Sequence, residues 1–160
     1  MNRKTAMKLF GLLGLLMLLS CGYADRHRNS SSCEQALVDS LEVRVRDSLF
    51  SNVHYSRSQV LDALTQAQDS QVYYRLLALY GKTFFVSSDF DSILYYNRRV
   101  KEFSRNASQS SESLQSPRWN DVLSDVYNIE GNVWMQLNRP DSAIIDYKKA
   151  YEYRLKGKKL

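Results

Sequence analysis

Few residues that do chemistry stand at working distances in this chain. There are two histidines, His27 and His54, and two cysteines, Cys21 and Cys33. Neither histidine has a cysteine or carboxylate partner at metal-ligand spacing. No glycine-rich phosphate loop, nucleophile elbow or paired-carboxylate signature occurs. The sequence therefore points to a protein that is not an enzyme, and it assigns no metal and no cofactor. What it offers instead is recognition chemistry. Asn128, Asn132 and Gln136 recur every four residues, which on a helix makes one polar stripe. Arg75 and Lys82 are seven apart and share a helical face. Amides serve both the donors and the acceptors of an extended backbone, and arginine and lysine hold carboxylates. The set suits a peptide with an acidic group. It is also the pattern of the solvated side of two amphipathic helices, and both readings stay open at this level.

The elements that position these residues come in two copies. Leu77, Tyr80, Gly81, Phe84, Asp91, Ser92 and Val100 of one copy answer to Tyr127, Glu130, Gly131, Trp134, Asp141, Ser142 and Ala150 of the other, each offset by fifty residues. The chain has six glycines, and outside its two ends only Gly81 and Gly131 remain, in the same place of each copy. Apolar residues at helical spacing precede a turn in both, and a second helical pattern follows. Ser87-Ser88-Asp89 is the turn in the first copy, Asn138-Arg139-Pro140-Asp141 in the second. A glycine inside a helix costs about 1 kcal/mol relative to alanine, so its retention predicts a helix packed against bare backbone. Ala143, Tyr147 and Ala150 supply small and aromatic side chains to the facing helix.

These residues resemble the tetratricopeptide repeat, a helix–turn–helix unit with a W-x2-L-G-x2-Y…A-x3-F pattern. Tyr127, Gly131, Trp134, Ala143, Tyr147 and Ala150 carry the resemblance in the second copy, with Glu130 where leucine is expected. Leu77, Gly81, Phe84, Ile93 and Val100 carry it in the first, with Asn97 where an aromatic is expected. The closing proline is absent, Arg105 and Leu155 standing in its place. The resemblance implies an all-α fold, a short helical-hairpin solenoid, and a protein–protein interaction module. It also implies a concave groove lined by the first helix of each unit. Arg75, Lys82, Asn128, Asn132 and Gln136 would be its peptide-binding residues, and Gly81, Gly131, Ala143, Tyr147 and Ala150 its packing residues.

The N-terminus belongs to another kind of segment. Arg3, Lys4 and Lys8 precede an apolar run, Leu9 to Leu19, shorter than the roughly 20 residues that span a bilayer and suited to a secretory signal. Leu18-Leu19-Ser20-Cys21 resembles a bacterial lipobox, which implies cleavage after Ser20 and lipid on Cys21. Residues 1–20 are then a lipoprotein signal peptide and 21–32 a flexible tether. Gly22 and Tyr23, rather than acidic residues, follow the cysteine, which implies an outer-membrane lipoprotein of the cell envelope facing the periplasm. Leader, lipobox and helical repeats together resemble lipoproteins of the Bacteroides group. The net charge of +5 falls with the leader's three basic residues to 19 − 17, or +2, so charge gives no argument for nucleic acid. Cys33 is left without an intramolecular partner.

Between these segments, residues 33–68 read as an N-terminal helix pair, a degenerate repeat or a plain hairpin. Ser32 with Gln35 and Ser56 with Gln59 are candidate capping boxes. Residues 69–104 form the first clear repeat and 117–157 the second, opened by Ser116-Pro117. Residues 105–116 read as a serine-rich loop holding what exceeds the standard repeat of about 34 residues. Asp39-Ser40-Leu41, Asp47-Ser48-Leu49, Asp91-Ser92-Ile93 and Asp141-Ser142-Ala143 resemble a short O-glycosylation signal, and equally suit helix starts. Ile144, Ile145, Tyr151 and Leu155 have no later helix to cover them, so more chain, a partner or a second copy is expected there. The reading is a membrane-tethered module for a peptide or protein partner. The alternative is the sensor segment of a longer signalling or transcriptional regulator.

Overall fold

The computed structural model describes residues 32–109 and 117–158. The chain divides into two compact units, Met1–Leu37 and Val38–Leu160. Of the first, residues 32–37 are described and are helical. The expected signal peptide, Cys21 and most of the expected tether lie outside the described residues. Ser32, placed in the tether from the sequence, is already helical.

The fold is all-α and helical-repeat-like. Its helices are α1 (residues 32–48), α2 (Val53–Gln66), α3 (Ser70–Lys82), α4 (Phe90–Gln109), α5 (Pro117–Gln136) and α6 (Pro140–Lys158), with no strand among the described residues. From α2 onward each helix packs on the next, and α3 also packs on α5. Val38, Leu41 and Val45 form the inward stripe of α1 and, with Leu49 just past its end, meet Val60 of α2 and Val72, Leu76 and Leu79 of α3. Leu77 of α3, Val100 and Ala107 of α4, and Trp119, Leu123 and Val126 of α5 make a second cluster. Ile93, Ile129 and Val133 make a third under Phe84, Phe85 and Phe90. α3 thus takes apolar contacts from α1 and α2 on one side and from α4 and α5 on the other.

The turns of the two copies close in the same way. Ser88 and Asn138 have left-handed φ of 54° and 55°, fifty residues apart. The following amide closes the turn in both: Asp89 N donates to Phe84 O at 3.2 Å, and Arg139 N to Trp134 O at 2.8 Å. Left-handed backbone ends helices because it turns the chain back over the last carbonyls. The helices that follow start differently. Asp89 accepts from Ser92 N at 3.1 Å and caps α4. α6 has Pro140 as its first residue, where a missing N–H is harmless.

Three expected boundaries move. α2 begins at Val53, capped by Asn52, whose Oδ1 accepts from Tyr55 N at 3.1 Å. Asparagine caps as well as serine and comes first in the chain. Ser56 is instead buried, its hydroxyl 2.8 Å from that of Ser48, closing the α1–α2 corner. α3 stops at Lys82, earlier than the expected turn, and residues 83–88 form turns. Phe84 therefore lies past the helix. Arg57 of α2 holds this end, donating from Nη2 to Thr83 O at 3.2 Å with its guanidinium 3.9 Å from the Phe84 ring centroid. A cation at a helix C-terminus is favourable. Finally, α4 runs on to Gln109, so residues 105–109 of the expected serine-rich loop are helical. Ala107 extends the apolar stripe of Val100 and is buried with Trp119; that packing outweighs serine's preference for turns.

Both central glycines meet the next helix. A Cβ on Gly81 would lie 3.0 Å from Tyr96 Cβ, and one on Gly131 would lie 2.5 Å from Tyr147 Cε1. Ala143 and Ala150 are buried on α6, and the Tyr147 hydroxyl donates to Asn132 Oδ1 at 2.8 Å.

Candidate functional site

α1, α3 and α5 flank a cleft of about 160 Å³. Ala78 and Leu79 of α3 and Val122, Val126 and Ile129 of α5 give it apolar walls. Glu42 and Arg46 of α1, Arg75 and Lys82 of α3, and Asp125 of α5 ring it with charge, and Asn97 of α4 joins the lining. Small-molecule pockets usually occupy about 300–1,000 Å³. This cleft holds a side chain or a short stretch of peptide.

Its acids are committed and two of its cations are not. Arg75 is only 4% exposed and donates from Nη2 to Asp39 Oδ1 and Glu42 Oε1, both at 2.8 Å. The other oxygen of Asp39 takes Arg118 Nη2 at 2.8 Å, so one carboxylate on α1 ties α3 to α5. Asp125 accepts from Arg154 Nη2 at 3.0 Å. Lys82 has no ion pair among the described residues, and Arg46 has only an exposed 3.7 Å contact with Asp47. The electrostatic character left to the cleft is therefore positive. Asn97 spends Nδ2 on Val126 O at 3.2 Å, while its buried Oδ1 lacks a partner.

A second polar centre lies where α4, α5 and α6 meet. Glu130 Oε2 takes the Lys101 ammonium at 2.6 Å. Burial pushes the Glu130 carboxyl above its ordinary value, and the bonds from Lys101 oppose that rise without cancelling it. Burial likewise pushes the Tyr127 phenol up to about 12, helped by Tyr153, Glu130 and Asp146. Trp134 Nε1 donates to Asp146 Oδ2 at 2.8 Å. Tyr127 is stacked on Tyr153 at 5.6 Å between centroids, with Lys101 and Lys149 5.2 and 5.1 Å from its ring centroid. A phenol held protonated is not a nucleophile, and every member has a structural partner. This centre holds helices together.

The two centres explain the two departures from the repeat pattern. Asn97 replaces an aromatic on α4 and Glu130 replaces a leucine on α5. Each finds its partner on the other helix: Asn97 of α4 donates to Val126 O of α5, and Glu130 of α5 takes Lys101 of α4. Both bonds link positions 29 residues apart, and no local pattern displays them.

No family model, curated protein or solved structure matches the chain.

Of the residues singled out from the sequence, Arg75 and Lys82 line the cleft. Arg75 is a buried tie between α1 and α3, with two carboxylates already on it. The amides stand elsewhere. Asn128 and Gln136 are exposed and none of the three amides lines the cleft, which α5 meets with Val122, Asp125, Val126 and Ile129. Asn132 is held by Tyr147 of α6. Arg46, in a helix that shows no repeat glycine, is the cleft cation the sequence did not reveal. Cys33 is an exposed free thiol. Among the described residues no His, Cys, Asp and Glu cluster could hold a metal, and no helix is long and apolar enough to cross a membrane. Ser48 and Ser92 of the Asp-Ser motifs are hydrogen-bonded within the helical frame.

Proposed function

We propose that this chain is a tetratricopeptide-like interaction module, held at an envelope membrane by lipid on Cys21, that binds an extended segment of a partner through an acidic side chain or carboxylate. The observation that carries the reading is the α1–α3–α5 cleft. It combines apolar walls with Arg46 and Lys82 uncommitted, while Glu42 and Asp125 are neutralised by Arg75 and Arg154. An apolar side chain of the partner would fill the space beside Leu79 and Ile129, and its carboxylate would meet the two cations. Hydrogen-bonded charge pairs of that kind are stronger than neutral ones. The repeat reading is further supported by the two equivalent turns and by odd helices packing on odd.

The test is capture of partners from an envelope extract by the immobilised chain, followed by anisotropy measurements with peptides from whatever is captured. Arg46→Ala with Lys82→Ala should weaken binding at least roughly tenfold, with helicity and melting unchanged, and should lessen its salt dependence. Asn128→Ala with Gln136→Ala should leave binding alone. Undiminished binding by the cation variant sinks the cleft as the site. Loss of Met1 to Ser20 and an acyl adduct on Cys21, read by mass spectrometry, check the tether.

A further inference from the structure

α6 carries a stripe that its own fold leaves bare. Ile144, Ile145, Tyr151 and Leu155 are 64%, 57%, 63% and 38% exposed, far from the usual state of large apolar side chains on a packed helix. Asp141, Lys148 and Lys158 are exposed as well and have no ion pair among the described residues.

Their order is informative. Asp141, Ile144, Lys148, Tyr151, Leu155 and Lys158 are spaced 3, 4, 3, 4 and 3, the alternation of the a and d positions in a coiled-coil heptad. This spacing reads the same in both directions. When the helix is laid antiparallel on a copy of itself, positions whose numbers sum to 299 face each other. Ile144 then meets Leu155, Lys148 meets the Tyr151 ring, and Asp141 meets Lys158, each twice. Apolar packs on apolar, an ammonium lies over an aromatic face, and opposite charges close both ends. A parallel pair would instead set Asp141 on Asp141 and Lys148 on Lys148. A two-fold contact needs a self-complementary surface, and this stripe has that property in shape and charge.

We propose that α6 is a self-association surface, and that two copies of this protein pair through antiparallel α6 helices about a two-fold axis. The stripe lies apart from the α1–α3–α5 cleft, so the pairing leaves each cleft available and makes the assembly bivalent. Bivalence raises avidity for a partner that displays its recognised segment more than once.

Two measurements on the full chain test this. Sedimentation velocity should show a dimer, and Ile144→Glu with Leu155→Glu, which set like charges opposite each other, should weaken it about a hundredfold or more while far-UV circular dichroism stays unchanged. Cross-linking fixes the geometry. With Cys21 and Cys33 changed to Ser, a mixture of Ile144→Cys chains and Leu155→Cys chains should form mixed disulfides on mild oxidation. Ile144→Cys chains alone should not, because eleven residues of helix set those positions roughly 16 Å apart, beyond the roughly 7 Å Cα limit of a disulfide. A strict monomer at high concentration overturns the proposal and leaves the face to the helix of another protein. Efficient cross-linking of Ile144→Cys to itself overturns the antiparallel arrangement.

Discussion

Gly131→Ala is ordinarily a stabilising change in a helix, by about 1 kcal/mol. Here it should destabilise. A Cβ at this position would lie 2.5 Å from Tyr147 Cε1, 2.6 Å from Cδ1 and 3.0 Å from Cζ, whereas ordinary contact begins near 3.4 Å. The ring would have to withdraw by 3.4 − 2.5, or 0.9 Å. It is not free to do so, since its hydroxyl is bonded to Asn132 Oδ1 at 2.8 Å. Overpacking of this kind costs about 1–3 kcal/mol, and a lost hydrogen bond about 0.5–1.5 kcal/mol. Set against the helix gain, the net loss is about 0.5–3.5 kcal/mol. For a chain of this size that lowers Tm by roughly 3–5 °C for each kcal/mol. The decisive arm repeats the change in a Tyr147→Ala background. With the ring gone the clash is gone, and Gly131→Ala should stabilise by up to about 1 kcal/mol. Urea melts of all four proteins, followed by circular dichroism, give the coupling as a double-mutant cycle. If Gly131→Ala melts at or above wild type, or loses the same amount in both backgrounds, close approach of α6 is not why position 131 is glycine.

The raised Glu130 carboxyl makes stability depend on pH in a specific direction. The folded chain binds a proton more readily at this site than the unfolded chain. The stability that Glu130 contributes should therefore be fully present below the ordinary glutamate value of 4.5 and be lost as pH rises from there through the raised folded value. Glu130→Gln should remove this component from pH-dependent melts. Lys101→Ala leaves the buried carboxylate without its cation and should cost about 1–3 kcal/mol near neutral pH, less than a fully buried pair because Lys101 is partly exposed. Ser88 holds a left-handed backbone, φ 54°, which costs a non-glycine residue about 1–2 kcal/mol. Ser88→Gly should raise the melting temperature, with a net gain of about 0.5–1 kcal/mol after the entropy of glycine; an unchanged or lower Tm would count against strain in this turn.

The sequence by itself determined the helical class and the place of the hairpins, because both follow from local rules. Apolar residues at helical spacing mark Leu76 to Tyr80 and Val126 to Val133, Pro117 and Pro140 open helices, and Gly81 and Gly131 stand fifty apart in matching places. The bare stripe of Ile144, Tyr151 and Leu155 was equally legible, since it needs only the pattern of one helix. What only tertiary structure decided is which polar groups remain free. Arg75 and Lys82 are indistinguishable as letters on one helical face. Asp39 and Glu42, brought in from α1, consume the first and leave the second. Asn97 and Glu130 look like two defects in a repeat until α4 and α5 pack, and then each has a partner on the other helix, Val126 O for Asn97 and Lys101 for Glu130. The amide stripe lies away from the cleft for a related reason. A stripe repeating every four residues drifts around a helix of 3.6 residues per turn, and contact with Tyr147 fixes Asn132 towards α6 instead of the cleft. Propensity and periodicity act along the chain. Commitment of a charge or an amide depends on a neighbour that the chain delivers from dozens of residues away.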